Sequence, residues 1–203
     1  MRYILRKKLR EYRLIILDMD GTLYYQIPLR ICMVFELLVY YTIHFKNIKD
    51  LFVLAGFRKS YNKGRLPEAN PLVDYWMQER PLKYIHIFRD NKLLDLIQYL
   101  KNEGTLIALY SDYPLAKKIS VLHPFATDFS FCASDSDINC LKPDVKGLKR
   151  ILEVLNKPVE DAVFIGDRYD KDGKCAEGMG MDYIILDKNP ILRNSRLYKS
   201  ELL

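Results

Sequence analysis

Four short segments of this chain carry residue types that can do chemistry together. They are Asp18-Met19-Asp20-Gly21-Thr22, Ser111-Asp112, Lys142-Pro143-Asp144, and Gly166-Asp167 followed by Asp170 and Asp172. Carboxylates brought close repel one another, and a hard, oxygen-seeking divalent cation relieves that repulsion. A carboxylate can attack phosphorus to form an acyl phosphate, and a second acid two positions on can shuttle the proton. A lysine and a cation together neutralise charge developing on the oxygens of a transferring phosphoryl group. Taken singly, each segment also has an ordinary structural reading: Ser111 as a turn residue, Lys142 as a solvated cation, Asp172 as a helix cap, Asp170 as plain surface.

What gives the four segments weight is their placement. Short apolar runs at Leu14–Leu17, Leu106–Tyr110, Ala162–Ile165 and Tyr183–Leu186 read as buried strands, and three of the chemical segments follow such a run directly. Between the runs lie helical periodicities: Leu93, Leu94, Ile97 and Leu100 on one face, stopped at Gly104, and Val145, Leu148, Ile151, Leu152 and Leu155 on another. Alternating strands and helices predict an α/β chain with a Rossmann-like parallel sheet, whose strand ends converge on one crevice. Residues 24–90 interrupt this alternation. They show no convincing strand, and Ile31, Val34, Phe35, Leu38 and Tyr41–Thr42 suit one long amphipathic helix. The segment is expected to be an α-helical cap, residues 24–90, set into a core of residues 1–23 and 91–203, with hinges near Tyr24–Gln26 and Tyr84–Asp90.

With these residues in order, the chain resembles the haloacid dehalogenase (HAD) superfamily of phosphohydrolases. The family's DxDGT motif matches Asp18 to Thr22, its strand-ending Ser or Thr matches Ser111, its KP lysine matches Lys142-Pro143, and GDx₄D matches Gly166-Asp167 through Asp172. The resemblance implies Asp18 as nucleophile and magnesium (Mg2+) ligand, and Asp20 as general acid and base with its backbone carbonyl on the metal. It implies Ser111 and the backbone N–H of Asp112 on the phosphoryl oxygens, with Lys142 paired to Asp18 and the phosphoryl group. It further implies Asp167 on the metal directly, Asp172 on the metal through water or orienting Lys142, and Thr22 as a brace for the turn. The dehalogenases of this superfamily lack the acid at the position of Asp20, because halide departure needs no proton. Asp20 therefore implies phosphoryl chemistry: hydrolysis of a small phosphorylated metabolite, with phosphotransfer or a non-catalytic binding role as the competing readings.

Composition bounds the rest. At 203 residues, 49% hydrophobic and 29% charged, the chain is long enough for one domain with a modest insertion and is globular in character. Of a formal net charge of +6, +5 lies in residues 1–13, so the remainder is nearly neutral, which argues against a nucleic-acid-binding face. This basic head is expected to be a solvated first helix. It is followed by too short an apolar run for a secretory signal. Ile27 to Phe45 comes nearest to a membrane span, but Arg30, Glu36 and His44 interrupt it, so no transmembrane span is expected and a buried or interface helix is. Four cysteines without metal-like spacing read as reduced thiols of a cytoplasmic protein. Within the cap, Arg58, Lys59, Lys63 and Arg65 crowd around Phe57 and Tyr61, either as a grip on an anionic part of the substrate or as a solvated turn between helices.

Overall fold

A computed structural model describes residues 2–62, 66, 70–122, 125 and 127–197 of the chain. Its strands are β1 (Arg2–Ile4), β2 (Leu14–Leu17), β3 (Leu106–Ser111), β4 (Phe129–Cys132), β5 (Ala162–Gly166) and β6 (Asp182–Ile185). They form one sheet in the order β1-β6-β5-β2-β3-β4, parallel throughout except for β1, which runs antiparallel to β6. The fold is mixed α/β. The apolar run Leu14–Leu17 occupies the sheet centre, and successive residues feed opposite faces. Ile15 and Leu17 join Ile107, Leu109, Val163 and Ile165 in one core layer, while Leu14 and Ile16 join Ala108, Tyr110, Ala162 and Phe164 in the other.

The helices are α1 (Gln26–Ile43), α2 (Asp50–Asn62), α3 (Pro71–Val73), α4 (Leu82–Ile87), α5 (Asn91–Asn102), α6 (Ala116–Ser120), α7 (Lys146–Leu155), α8 (Lys174–Gly178) and α9 (Pro190–Leu197). The expected stripes on α5 and α7 are the buried ones: Leu93, Ile97 and Leu100 close one face of the sheet, and Leu148, Ile151 and Leu152 close the other.

Three expectations change. The basic head is not a solvated helix. Residues 2–4 add strand β1 to the sheet edge, Leu9 and Tyr12 are buried, and the cations find acids on the core. Arg6 pairs with Asp182 at 3.3 Å, Lys7 and Arg13 reach Asp161, and Arg2 lies over the Tyr169 ring. Edge pairing to β6 is a non-local choice that three residues of sequence do not announce. Strand β4 was likewise unmarked, being too short for an alternation to register. Of the expected stripe on α1, Ile31, Val34, Phe35 and Leu38 are each more than half exposed and Thr42 is exposed, while Tyr41 is buried together with Leu29 and Met33. The helix is apolar nearly all round, so periodicity alone did not select the packed side. At 18 residues α1 is also long and apolar enough to cross a membrane by length and composition, although Leu29 and Met33 pack into the protein core.

From α1 to α4 the described chain is helical, running through a π-helical turn at Asp74–Glu79. The π turn delivers Trp76 against Tyr40, and Glu36 of α1 is held by Arg80 at 3.0 Å, by Lys83 and by the Tyr84 hydroxyl. Where this segment meets the sheet its two ends are joined: Tyr25 N donates to Phe88 O, Asp90 N donates to Leu23 O, and Tyr24 bridges Arg89.

A buried arginine ties that junction to the C-terminal helix. Arg193 of α9, 1% exposed, donates to Gly21 O at 2.7 Å, Thr22 O at 2.9 Å and Asp187 O at 2.8 Å, and meets Asp90 Oδ2 at 3.2 Å. Removing it strands the Asp90 carboxylate in the interior. Arg193→Met is expected to lower the free energy of unfolding by about 3 kcal/mol in urea denaturation, with the m-value unchanged.

Candidate functional site

The register of β2, β3 and β5 sets the site. Leu17 lies beside Leu109 on one side and Ile165 on the other, so the residues that follow these strands emerge together at one sheet edge. Asp18 N donates to Ile165 O, which holds the first acid against the end of β5. Gly21 takes a left-handed φ of +95°, and a Cβ there would come within 2.5 Å of Asp167 Oδ2; only glycine lets the first turn approach the fourth segment so closely. Gly166 is equally constrained, since a Cβ would sit 2.5 Å from Asp172.

Lys142 is the centre of the arrangement. Its ammonium, buried at 2% residue exposure, lies 2.5 Å from Asp18 Oδ1 and 2.7 Å from Asp172 Oδ1. Burial disfavours its charge, but Asp172, Asp18 and Asp112 outweigh burial and hold the ammonium protonated well above the usual lysine range. The backbone around it is held as well: Lys142 N donates to Asp112 Oδ1 at 3.0 Å, and Lys171 Nζ donates to Lys142 O at 2.5 Å.

Three carboxylates face this single ammonium. One oxygen from each of Asp18, Asp167 and Asp172 lies within 4.8 Å of the others, all three residues buried. Burial pushes the Asp18 carboxyl up, as do Asp172 and Asp167, against the pull of Lys142. Burial and Asp172 push Asp167 up to about 6. Asp167 Oδ1 is buried with no hydrogen-bond partner among the described residues. An orphaned carboxylate oxygen beside two more, with excess negative charge, fits a hard divalent cation bound by oxygen ligands. Asp172 is the least available of the three, because Oδ1 meets Lys142 and Oδ2 accepts from Arg168 N at 3.0 Å. It pairs with the lysine and does not cap helix α8.

Asp20 sits differently. Its carboxylate is gripped by Lys118 Nζ at 2.7 and 2.8 Å and receives the Tyr24 hydroxyl. Burial works against its charge, yet Lys118 and then Tyr24 outweigh burial and hold it ionised below the usual carboxylate range. Lys118 was absent from the sequence reading. The one available signal was its position on α6, seven residues beyond Ser111, where a helix following β3 would pass over the same edge.

Thr22 braces the first acid, donating to Asp18 Oδ2 at 3.2 Å. Ser111 is buried at the site, its Oγ accepting from Tyr113 N. The Asp112 carboxylate is engaged in structural bonds, with Lys142 N and with the hydroxyl of Tyr61 at 2.7 Å. Asp170 is paired with Arg168 at 2.5 Å on the surface.

These groups open into a cavity of about 680 Å³ between the sheet edge and helices α1 and α2. Of the four expected cap cations, Arg58 lines it; Lys59 is exposed outside the lining; Lys63 and Arg65 lie outside the described residues. Of residues 56–65, read as a grip or a solvated turn, the described part to Asn62 is the end of α2, where Tyr61 donates to Asp112 Oδ2 and its ring lies tilted against Tyr113 at 4.6 Å.

A family model described as a haloacid dehalogenase-like hydrolase matches residues 12–180. The chain belongs to that family. As a HAD-like hydrolase it shares its fold with a HAD phosphatase from Thermococcus onnurineus (TM-score 0.66, 18% identity, 87% of each chain covered). It is also similar to the HAD-hydrolase YfnB from Bacillus subtilis bound to magnesium (0.61, 15%, 89% of each). A third similar structure is CbbY from Rhodobacter sphaeroides in complex with xylulose-(1,5)bisphosphate (0.60, 19%, 88% of each). No curated protein sequence matches this HAD-like chain.

The Asp167 environment has a measurable consequence. The folded protein keeps this proton up to about pH 6 against 3.8 for an ordinary Asp, so between those values the native state binds more protons than the unfolded one. Its contribution is present below the unfolded value and lost as pH rises through about 6. In chelator-treated protein, unfolding by urea at pH 4.5 and 7.5 should show this loss in the wild type and not in Asp167→Asn, a difference of about 2 kcal/mol.

Proposed function

We propose that this HAD-like hydrolase cleaves phosphomonoesters by attack of the Asp18 carboxylate on phosphorus, with Asp20 handling the protons and Mg2+ as the resident cation. The observation that carries this reading is the division of labour between two acids two residues apart. Asp18 shares a buried ammonium with Asp172, while Asp20 has its own, Lys118. A similar fold occurs in a 2-haloacid dehalogenase from Pseudomonas syringae (TM-score 0.59, 17% identity), so the fold alone does not choose the reaction; Asp20 supports the phosphoryl branch.

In this scheme Asp18 displaces the alcohol and becomes an aspartyl phosphate, the alcohol oxygen taking a proton from Asp20. Asp20, ionised again beside Lys118, then accepts a proton from the water that attacks the phosphoryl group and frees Asp18. The ion pair with Lys118 leaves the resting Asp20 in the basic form, so the first half-reaction requires a proton to reach it as substrate enters. Lys142 meets the phosphoryl oxygens, with Ser111 and the backbone of Asp112 on the same side. Asp18, Asp167 and the Asp20 carbonyl would hold the cation, assisted by Asp172, and the cation when bound supplies positive charge for the phosphoryl oxygens. Residues 24–90 act as the cap that shuts water out, hinged at Tyr24–Gln26 and Tyr84–Asp90.

Inorganic phosphate release from a panel of phosphorylated metabolites and an aryl phosphate is the direct test. Turnover is expected with Mg2+, not with chelator, and not in Asp18→Asn. Asp20→Asn is expected to lower kcat by about a hundredfold to ten-thousandfold. Phosphate transferred to a second product, tracked isotopically, would point instead to phosphotransfer; full activity in Asp18→Asn would remove the proposed nucleophile.

A further inference from the structure

The cavity extends well beyond the acidic cluster, and its chemistry changes along the way. Helix α1 begins two residues after Tyr24, which is bound to Asp20, so its start is anchored at the catalytic turn. From there Gln26, Leu29, Arg30, Met33, Val34 and Leu37 line the cavity. These fall at i, i+3, i+4, i+7, i+8 and i+11, a single helix face about 16 Å long at 1.5 Å per residue. Its near end is polar: Arg30 senses Asp20 and Asp167. At its far end the lining residues Met33, Val34 and Leu37 offer no side-chain nitrogen or oxygen.

Helix α2 runs back alongside with the same gradient in reverse. Tyr61 sits at the sheet edge on Asp112, Arg58 faces Arg30, and Leu54 and Leu51 lie beyond. Neither Arg30 nor Arg58 makes an ion pair among the described residues, and their mutual repulsion is a standing preference for an anion between them. Trp76, Met77 and Gln78 also line the cavity, and Gln78 Oε1, buried with no hydrogen-bond partner among the described residues, is a polar atom on an otherwise largely apolar wall. At the mouth Val34 is 55% exposed and Leu51 37%, so the wall stays apolar out to solvent.

Such a channel discriminates by solvation. A sugar hydroxyl placed against Met33, Leu37 and Leu54 loses water without gaining a partner, whereas a methylene there gains by leaving water. We infer that the substrate is an amphiphile, a phosphomonoester whose alcohol carries an apolar chain lying between α1 and α2, with its anionic head between Asp18 and the Arg30–Arg58 pair. This rests on the phosphomonoesterase reading above: water supplies the new P–O bond, the bond to the chain-bearing alcohol breaks, and that alcohol leaves with a proton.

The test separates substrate class from catalysis. Binding of n-alkyl phosphonates of increasing length, whose P–C bond resists hydrolysis, is measured by calorimetry in the presence of Mg2+ and below micelle-forming concentrations. Affinity is expected to rise about three- to fourfold per added methylene until the chain has run the length of the α1 face. One ligand should bind per chain, displaceable by inorganic phosphate. Leu37→Gln should flatten the dependence on length, and Val34→Gln, at an exposed position, serves if the first variant does not fold. In parallel, phosphate release is followed from n-alkyl phosphates and from polyol phosphates of the same size.

Affinity that does not rise with length, or phosphonate binding that phosphate fails to displace, overturns the inference. So does a preference for the polyol phosphates, even if hydrolysis itself holds. Length-dependent, phosphate-displaceable binding without any phosphate release upholds the amphiphile and sinks the hydrolytic reading instead.

Discussion

The rest of this structure depends on one buried ammonium. Lys142 lies between Asp18 and Asp172, and an ion pair taken out of water holds only when its geometry is good and its remaining atoms are satisfied. Much of the fold around it meets that condition. The central strands put Asp18 at the end of β2, Asp112 turns its carboxylate to the Lys142 backbone, and Lys171 reaches over to the Lys142 carbonyl. Gly21 and Gly166 remove the side chains that would push the acids apart. The geometry satisfies the lysine and leaves the acids in excess. Asp167 Oδ1 is the visible remainder of that imbalance, and it is where a cation fits.

A second lysine gives the neighbouring acid a separate electrostatic setting. Asp18 and Asp20 are two residues apart on one turn, yet burial and nearby carboxylates push the first toward its neutral form, while Lys118 and Tyr24 hold the second ionised. Identical side chains on one turn thereby sit in opposite electrostatic settings. Tyr24 belongs to both the turn and the entrance to α1, so the helical segment over the sheet edge is built directly onto Asp20. Arg193 clamps the same junction from the opposite end of the chain, binding the carbonyls of Gly21 and Thr22 together with Asp90. Position of the helices and position of the chemistry are in this sense one constraint.

The sequence by itself determined the sheet centre and the chemical residues at its edge. Leu14–Leu17, Leu106–Ser111 and Ala162–Gly166 are apolar runs that end in or are followed by acid or hydroxyl residues, and a run apolar on both faces belongs in the middle of a parallel sheet covered by helices. Family membership followed from the same local strings. What only the tertiary structure decided was the choice of partners across long separations. The basic head became an edge strand because β6 and the acids Asp161 and Asp182 were there to receive it. The packed face of α1 was chosen by the sheet and by Trp76, not by a helix that is apolar on nearly every side. Lys118 found Asp20 across 98 positions, and Arg193 found Gly21 across 172. Periodicity reports how a residue relates to its neighbours along the chain; an ion pair between distant residues is decided by the packing that brings them into one dry space, and no local pattern encodes it.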